Sequence, residues 1–170
     1  LAGLSLEVQA GEFVSILGPS GCGKSTLFSI LNRVEQPDAG TARTDGSPAW
    51  MPQADTLLPW RTVRGNVALG AEVAAGLDRE QADARADLLL AEFGLDGFAD
   101  ARPFQLSGGM RQRAALARTV AQGRSVLLLD EPFGALDALT RTELQLWLER
   151  IWERERWTVL LITHDVREAV

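Results

Sequence analysis

The stretch that decides the fold of this chain is Gly18-Pro19-Ser20-Gly21-Cys22-Gly23-Lys24-Ser25-Thr26. Its G-x-x-x-x-G-K-S/T spacing is typical of a loop whose backbone N–H groups wrap around the phosphates of a nucleotide. In such a loop Lys24 reaches the β- and γ-phosphate oxygens, and the hydroxyl of Ser25 is offered to Mg²⁺. All nine residues are therefore candidate nucleotide ligands.

Lys24 is the only lysine among the 17 basic residues of the chain. A glycine-rich turn with an incidental lysine is the alternative interpretation. The flanking sequence favours the phosphate loop, because residues 12–17 (EFVSIL) predict a short buried strand and residues 26–32 (TLFSILN) predict an apolar helix. Such a helix directs its positive N-terminus at the phosphates.

Length and composition limit the class of protein. At 170 residues and 46% hydrophobic composition, the chain can form one substantial core. No apolar run approaches the roughly 20 residues of a membrane-spanning helix. A single cysteine cannot form an internal disulfide, and together these features favour a cytosolic protein. The net charge of -6 argues against nucleic acid as a partner, because phosphate backbones are bound by an excess of lysine and arginine.

Three apolar runs, at residues 13–17, 126–129 and 159–162, lack the alternation of half-exposed strands and predict strands covered on both faces. Helical segments separate them, so we expect an α/β fold with a mainly parallel sheet and ligand chemistry at the carboxyl ends of the strands. The alternation of Leu4, Leu6 and Val8 before Gly11 predicts an antiparallel hairpin, which makes the expected sheet mixed.

The middle of the chain has a helical pattern. Asp78 with Gln81 is typical of a capping box, and further helices are predicted over residues 110–121 and 139–152. We therefore predict a nucleotide-binding α/β part at residues 1–55 and 123–170, with a helical subdomain at residues 56–122. Trp147 and Trp152 belong either to the core or to an interface.

The run Val126-Leu127-Leu128-Leu129-Asp130-Glu131 is an apolar strand that ends in two adjacent carboxylates. Successive side chains leave a strand in different directions, so Asp130 can approach Mg²⁺ while Glu131 approaches an attacking water. A solvated turn is the alternative interpretation of the two acids taken alone. The phosphate loop in the same chain favours the catalytic one.

A further motif is Leu106-Ser107-Gly108-Gly109-Met110-Arg111-Gln112-Arg113. It is similar to the signature sequence of ATP-binding cassette (ABC) ATPases, and Ser107 stands 23 residues before Asp130. Gln53 resembles the glutamine of the family's Q-loop, Gly134-Ala135-Leu136-Asp137 resembles its D-loop, and His164 resembles its switch histidine. The resemblance covers nearly the whole chain and implies a P-loop NTPase fold of the ABC type.

The residues themselves agree with this resemblance, because Ser107 and the N–H groups of Gly108 and Gly109 at a helix start form a second anion site. The resemblance implies a head-to-tail dimer in which each ATP lies between the Lys24 loop of one subunit and the Ser107 loop of the other. It implies the following roles: catalysis by Glu131, His164, Lys24 and Gln53; Mg²⁺ binding by Ser25, Gln53 and Asp130; and nucleotide binding across the dimer by Ser107, Gly108, Gly109 and Asp137.

The segment LLPWRTV at residues 57–63, followed by Asn66 and Val67, resembles ABC importer subunits of the nitrate, sulfonate and taurine group, which includes importers of thiamine-precursor pyrimidines. This resemblance implies a homodimer, or a pair with another ABC subunit, at the cytoplasmic membrane face. It also implies a membrane permease as partner and, indirectly, a solute-binding protein. Packing of Leu57, Leu58 and Trp60 under the helical part is the alternative to docking on a permease. A DNA-repair or translation-factor ABC ATPase is the competing functional class.

Both ends of the sequence have the character of interior segments, since it begins in LAGLSLEV and stops at HDVREAV. We expect the core of a longer protein that is truncated at both ends. The aromatic residue that stacks on adenine in ABC proteins is expected upstream of Leu1.

Overall fold

The computed structural model describes residues 3–165, which divide into two compact units. The first unit contains Leu1–Gln53, Ser125–Glu131 and Gln145–Val170, as far as these are described, and it carries the sheet. The second unit contains Ala54–Arg124 and Pro132–Leu144. It is helical in its described structure.

The sheet of the first unit consists of β1 (Phe13–Leu17), β2 (Ala49–Met51), β3 (Val126–Asp130) and β4 (Thr158–Thr163) in the order β1-β4-β3-β2. All three pairings are parallel. The three strands expected from the apolar runs are therefore confirmed, and β3 and β4 are buried as predicted. The expectation that β1 is covered on both faces is wrong, because β1 is an edge strand of the described sheet that is half-buried and ends in the exposed Leu17. β2 was not predicted, because its three residues, AWM, are too few to show a periodicity.

The antiparallel hairpin predicted before Gly11 is wrong, and the described sheet is parallel rather than mixed. Residues 4–8 form no strand, and Leu4 and Leu6 are exposed, whereas Val8 packs against the core. Alternation indicates which side chains share a face, but a strand also needs a neighbour for its backbone hydrogen bonds. Among residues 3–165 no segment pairs with this one.

The register of the strands brings the segments that carry the candidate catalytic residues to one edge of the sheet. Leu17 pairs with Thr163, so the phosphate loop and His164 follow directly from neighbouring strands. Met51 pairs with Leu129, which places Gln53 and Glu131 each two residues beyond a paired position. The carboxyl edge of the parallel sheet is therefore the place where the candidate catalytic residues converge.

The helix after the phosphate loop, α1 (Lys24–Leu31), is anchored by Phe28, which is fully buried. Phe28 belongs to a core cluster with Leu128, Leu160 and Ile162 of the sheet. Burying an aromatic side chain of this size contributes about 1.5–3 kcal/mol. This packing fixes the start of α1 and with it the loop that precedes the helix.

The second unit contains α2 (Val63–Ala74), α3 (Arg79–Glu92) and α4 (Gly108–Ala121). Thr62 caps α2 by accepting a hydrogen bond from the Gly65 N–H at 3.0 Å. The predicted capping box of α3 is confirmed, since Asp78 accepts from the Gln81 N–H and the Gln81 side chain accepts from the Asp78 N–H. Within residues 3–165, no helix combines the length and apolar character needed to cross a bilayer.

Residues 132–144 group with the helical unit, whereas the sequence placed them in the α/β part. The chain leaves the sheet after Asp130, where β3 ends. Ala135 and Leu136 then lie against Gly109 of α4, where a Cβ would meet them at 3.4 Å and 3.3 Å. A packing contact between distant segments decides this boundary, and the local sequence pattern carries no signal for it.

The long helix α5 (Ala138–Glu155) begins among the residues of the helical unit and ends among those of the sheet unit. Both of its tryptophans pack within the fold. Trp147 is buried, and the Trp152 indole N–H donates to the Gly11 carbonyl at 3.0 Å. The Trp152 ring also contacts Phe13 edge-on, with 6.0 Å between the ring centroids. Core packing is therefore the role that the structure gives to these two residues.

Gly70 on α2 is expected to tolerate no side chain. A Cβ there would lie well inside van der Waals contact with the Arg118 carbonyl oxygen of α4. We expect Gly70→Ala to lower the free energy of unfolding by about 1–3 kcal/mol, since overpacking against a backbone forces the helices apart. The measurement is urea unfolding followed by far-UV circular dichroism.

Gly97→Ala is the matched control for this substitution. A Cβ at Gly97 meets no atom within 4 Å. Its effect on stability is expected to stay within about 0.5 kcal/mol. Equal stability of the Gly70 and Gly97 variants would show that α2 and α4 do not approach each other as closely as described.

Candidate functional site

The phosphate loop occupies the turn between β1 and α1 and requires its glycines. Gly21 and Gly23 have φ angles of 78° and 100°, in the left-handed region that favours glycine. A Cβ at Gly18 would lie only 3.0 Å from the Cys22 sulfur. The loop therefore stays close-wrapped, which leaves its N–H groups free of side-chain obstruction.

Lys24 begins α1 and folds back over the loop. Its ammonium donates to the Gly18 carbonyl at 2.7 Å and to the Pro19 carbonyl at 3.0 Å. A phosphate oxygen is a stronger acceptor than a neutral carbonyl, because the hydrogen bond is then between two charges. The ammonium is thus held at the loop by contacts that phosphate can replace.

Asp130 ends β3 and is only 3% exposed. Burial raises the pKa of this carboxyl group, as does the neighbouring charge of Glu131, whereas a hydrogen bond with Ser25 and the charge of Lys24 oppose the rise. The influence of Ser25 on the pKa of Asp130 means that the two side chains are neighbours, as the prediction of a shared metal site requires.

The donor set of this pair fits Mg²⁺. Hydroxyl and carboxylate oxygens are the hard ligands that the ion prefers, and it is usually bound by one or two carboxylates together with substrate phosphates. Among residues 3–165, no group of three or more His, Cys, Asp or Glu side chains is arranged to hold a metal ion. Gln53, the third predicted ligand, directs its amide NH₂ to Glu131 in this structure.

Glu131 is the centre of a second group of predicted residues. The Gln53 side chain donates to one Glu131 carboxylate oxygen at 3.0 Å, and His164 Nδ1 lies 3.5 Å from the other. The Glu131 backbone has a φ of 49° and donates its N–H to the Ile162 carbonyl at 2.9 Å. Such a left-handed backbone conformation is uncommon for a residue with a Cβ and persists only where the surrounding structure holds it.

The contact between Gln53 and Glu131 was not anticipated from the sequence, although both residues were singled out. They stand 78 positions apart in the chain. Only the pairing of Met51 with Leu129 reveals that the two side chains leave the sheet side by side. Because β2 is three residues long, the sequence carried no signal for this pairing.

The predicted second anion site lies at the start of α4. Ser107 caps the helix, with its hydroxyl accepting from the Met110 N–H at 3.2 Å, and the helix begins at Gly108. The Ser107 side chain and Gly108 are exposed. Packing also favours glycine at position 109, because a Cβ there would lie only 3.3 Å from the Leu136 side chain. The helix start thus presents N–H groups and a positive dipole end to an external anion.

Asp137 stands just before α5 and acts as its cap. One carboxylate oxygen accepts from the Thr140 N–H at 3.1 Å and the other from the Thr140 hydroxyl at 2.7 Å. These hydrogen bonds lower the pKa of Asp137, the backbone one most. The carboxylate is exposed and ionised, with a structural role at the helix start. Its predicted contact with a nucleotide across a dimer remains a prediction.

A family profile described as ABC transporter matches residues 1–134. The chain belongs to the ABC transporter family. In a member of this family, the parallel sheet and the unit of β1, phosphate loop and α1 identify the fold as the P-loop NTPase fold of ABC ATP-binding domains.

Two relatives of this ABC chain have names that describe them as import ATP-binding proteins. The formylaminopyrimidine import ATP-binding protein ThiZ of Halalkalibacterium halodurans is 47% identical over 98% of this chain and 68% of its own length. The aliphatic sulfonates import ATP-binding protein SsuB of Burkholderia pseudomallei is 51% identical over 100% of this chain and 52% of its own length. The ABC chain therefore spans between about half and two thirds of these relatives.

A solved structure of an ATP-binding cassette is also similar to the ABC chain. It is a dimer in a post-hydrolysis state, bound to ADP and phosphate. The TM-score is 0.87 at 33% sequence identity, and the match covers 96% of this chain and 79% of that one. The folds are therefore alike over nearly the whole ABC chain.

Proposed function

We propose that this chain is the ATP-hydrolysing part of an ABC importer, in which two copies dimerise around ATP to drive uptake of a small solute through a membrane permease. The observation that carries the hydrolytic part is the meeting of Glu131 with Gln53 and His164, at the sheet edge from which the Lys24 loop also leaves. This arrangement supplies a base, a polar orienting group and a phosphate loop together.

In the proposed reaction Lys24 leaves the Gly18 and Pro19 carbonyls and binds the β- and γ-phosphates of ATP. Glu131 is the general base: one carboxylate oxygen accepts the proton of the attacking water, while the other is oriented by a neighbouring side chain. His164 contacts the γ-phosphate and keeps the attack in line. Phosphoryl transfer to water depends mainly on such positioning and charge stabilisation.

The proposed metal is Mg²⁺, held by Ser25, Asp130 and Gln53. When bound, the ion would supply positive charge that neutralises the phosphate oxygens during transfer. The proximity of Ser25 to Asp130 supports this assignment, since two of the three oxygen donors are then neighbours. Gln53 would turn from Glu131 to complete the set.

The dimer is proposed to be head to tail, with each ATP between the phosphate loop of one subunit and Ser107, Gly108, Gly109 and Asp137 of the other. The exposed start of α4 supports this role, because within one chain it would be a second phosphate site for a single nucleotide. The dimeric cassette that resembles this chain supports it as well.

Import is proposed from the names of the two relatives, which concern a pyrimidine and aliphatic sulfonates. Neither name supports the competing DNA-repair or translation class. The cargo class is accordingly a sulfonate, taurine, nitrate or pyrimidine-like solute, delivered by a solute-binding protein. The subunit would lie at the cytoplasmic face of the membrane against its permease, with no nucleic acid as a partner.

Trp60 is the proposed contact to the permease. Leu57 of the same segment is buried, but Trp60 is 69% exposed, and nearby in the same unit Arg102 contacts the Trp60 carbonyl. A large exposed aromatic side chain is typical of the residues that contribute most at protein interfaces. The burial of Leu57 favours a packing role for that residue, and the exposure of the Trp60 ring supports its proposed role in docking.

The experiment is purification of the tagged protein from membranes, identification of the co-purifying membrane proteins, and measurement of Mg²⁺-dependent phosphate release by the complex. We expect a permease with the unsubstituted protein, and Trp60→Ala to weaken its binding by about 2 kcal/mol. Val73→Ala, which removes a side chain that is 77% exposed on α2, is the matched control. Recovery of DNA or ribosomes in place of a permease would contradict the proposal.

A further inference from the structure

The segment just after Gln53 is tied to α4 by a charged pair. Asp55, two residues beyond Gln53, accepts a hydrogen bond from Arg111 Nε to its carboxylate at 3.0 Å. Its other carboxylate oxygen accepts from the Leu57 N–H at 3.2 Å, which closes a tight turn. Arg111 lies in the first turn of α4, so this pair joins the chain that follows Gln53 to the helix that carries the second anion site.

Arg111 makes a second contact with the same guanidinium. Its Nη1 donates to the Leu106 carbonyl at 2.9 Å, and Leu106 is the buried residue immediately before Ser107. A guanidinium holds its donors in a fixed fork, so a displacement of one acceptor is transmitted to the other. One rigid group therefore bridges Asp55 and the backbone that positions Ser107.

A second arginine, two helical turns further along α4, contacts the same segment. Arg118 stands seven positions after Arg111, on the same face of the helix. It donates to the Thr56 carbonyl at 2.8 Å, to the Thr56 hydroxyl at 2.7 Å and to the Asp55 carbonyl at 2.9 Å. Thr56 has a left-handed φ of 47°, a conformation that persists only where the surroundings hold it.

These contacts are more suited to positioning than to stability. The side chains of Arg111 and Asp55 are 36% and 31% exposed, and ion pairs this accessible to water contribute little to stability. The hydrogen bonds of Arg111 still fix its orientation relative to Asp55 and Leu106, since donors and acceptors are well within hydrogen-bond distance. Removal of the Asp55 charge should therefore disturb the position of the Ser107 loop more than the folding of the chain.

We propose that Asp55 and Arg111 are positioning residues that couple the two ATP sites of the dimer. The inference rests on the proposed function, in which each subunit contacts one ATP through Gln53 and the other through its Ser107 loop. Movement of Gln53 on binding the first nucleotide displaces Asp55, and the Arg111 guanidinium carries that displacement to Leu106 and Ser107. The second nucleotide then binds to a loop that is already in position, which is positive cooperativity.

The test is the dependence of the hydrolysis rate on ATP concentration in the purified protein. Asp55→Asn keeps an oxygen for the Leu57 N–H but removes the charge that faces Arg111. We expect a Hill coefficient that falls from near 2 to near 1, and a half-saturating ATP concentration that rises by about 5-fold or more. Arg111→Lys should have the same effect, because a lysine cannot bridge both acceptors in a fixed geometry.

The double variant Asp55→Asn/Arg111→Lys should be no worse than either single one, since residues that act as a unit are not additive. The matched control is Asp87→Asn, which removes an ion pair of similar exposure, Asp87 with Arg64 at 2.6 Å, from α2 and α3. It should keep the cooperativity of the unsubstituted protein. Thermal unfolding midpoints of all variants identify any loss that comes from folding.

The outcomes separate this inference from the proposed function. If the unsubstituted protein with its permease hydrolyses no ATP, the proposed function itself is overturned. If it hydrolyses ATP with a Hill coefficient of 1, or if Asp55→Asn and Arg111→Lys retain its cooperativity, the coupling role is overturned while the proposed function stands. An equal loss in Asp87→Asn would also overturn the specific role of the Asp55 and Arg111 pair.

Discussion

Glu131→Gln is expected to lower the rate of ATP hydrolysis by about 10²–10⁴-fold, the usual contribution of a general base. The amide keeps the shape of the carboxylate but cannot accept the proton of the attacking water. The phosphate loop is untouched by the change, so ATP should still bind. Phosphate release measured at saturating ATP and Mg²⁺ tests the rate, and binding of a fluorescent nucleotide tests the affinity.

The ATP-bound dimer of the same variant should accumulate, because ATP is no longer hydrolysed and the dimer no longer dissociates. Light scattering is expected to give a mass that doubles when ATP is added. Glu153→Gln, an identical change at an exposed position of α5, is the matched control and should hydrolyse ATP normally. A Glu131→Gln protein that hydrolyses ATP within a few-fold of the normal rate would remove Glu131 from the role of general base.

Ser107→Arg is expected to abolish both the ATP-dependent doubling of mass and hydrolysis. Ser107 is exposed at the start of α4, and a long cation there fills the space that a partner's nucleotide would need. The substitution also removes the helix cap, a loss of about 0.5–2 kcal/mol in stability. Ser107→Ala is therefore the matched control, because it removes the cap without adding bulk, and it should still dimerise with ATP.

A mixture of two inactive variants tests the head-to-tail arrangement directly. Lys24→Ala disables the phosphate loop, and Ser107→Arg disables the second anion site. In a mixed dimer both defects fall on one nucleotide site, and the other site is intact. Hydrolysis should reappear on mixing, up to the activity of one site per dimer. No recovery, in a mixture shown to form mixed dimers, would mean that Lys24 and Ser107 do not serve opposite subunits.

The hairpin predicted before Gly11 shows a limit of predicting strands from the sequence pattern alone. Leu4, Leu6 and Val8 alternate as a strand requires, yet no described segment pairs with them. The continuous apolar runs were more informative and correctly located three strands, although β1 proved half-buried rather than covered on both faces. Local pattern thus predicted β1, β3 and β4, and it missed the three-residue β2, which is too short to be periodic.

In the candidate site, too, the sequence identified the individual residues, and only the structure showed which of them are in contact. Sequence singled out Gln53, Glu131 and His164 one by one, each from its own short motif. It carried no signal for the 3.0 Å hydrogen bond between Gln53 and Glu131, or for the pairing of Asp55 with Arg111 at 3.0 Å. The roles assigned to these residues remain predictions that the variants above can test.

By itself, the sequence determined the phosphate loop with its flanking strand and helix, the family of the chain and the order of its motifs. These are local properties, set by side-chain type and by spacing along a few residues. The tertiary structure alone decided which motifs touch, including the left-handed turn at Glu131 and the approach of α2 to α4 at Gly70. Such contacts depend on strand register and helix packing between distant segments, which no local pattern encodes.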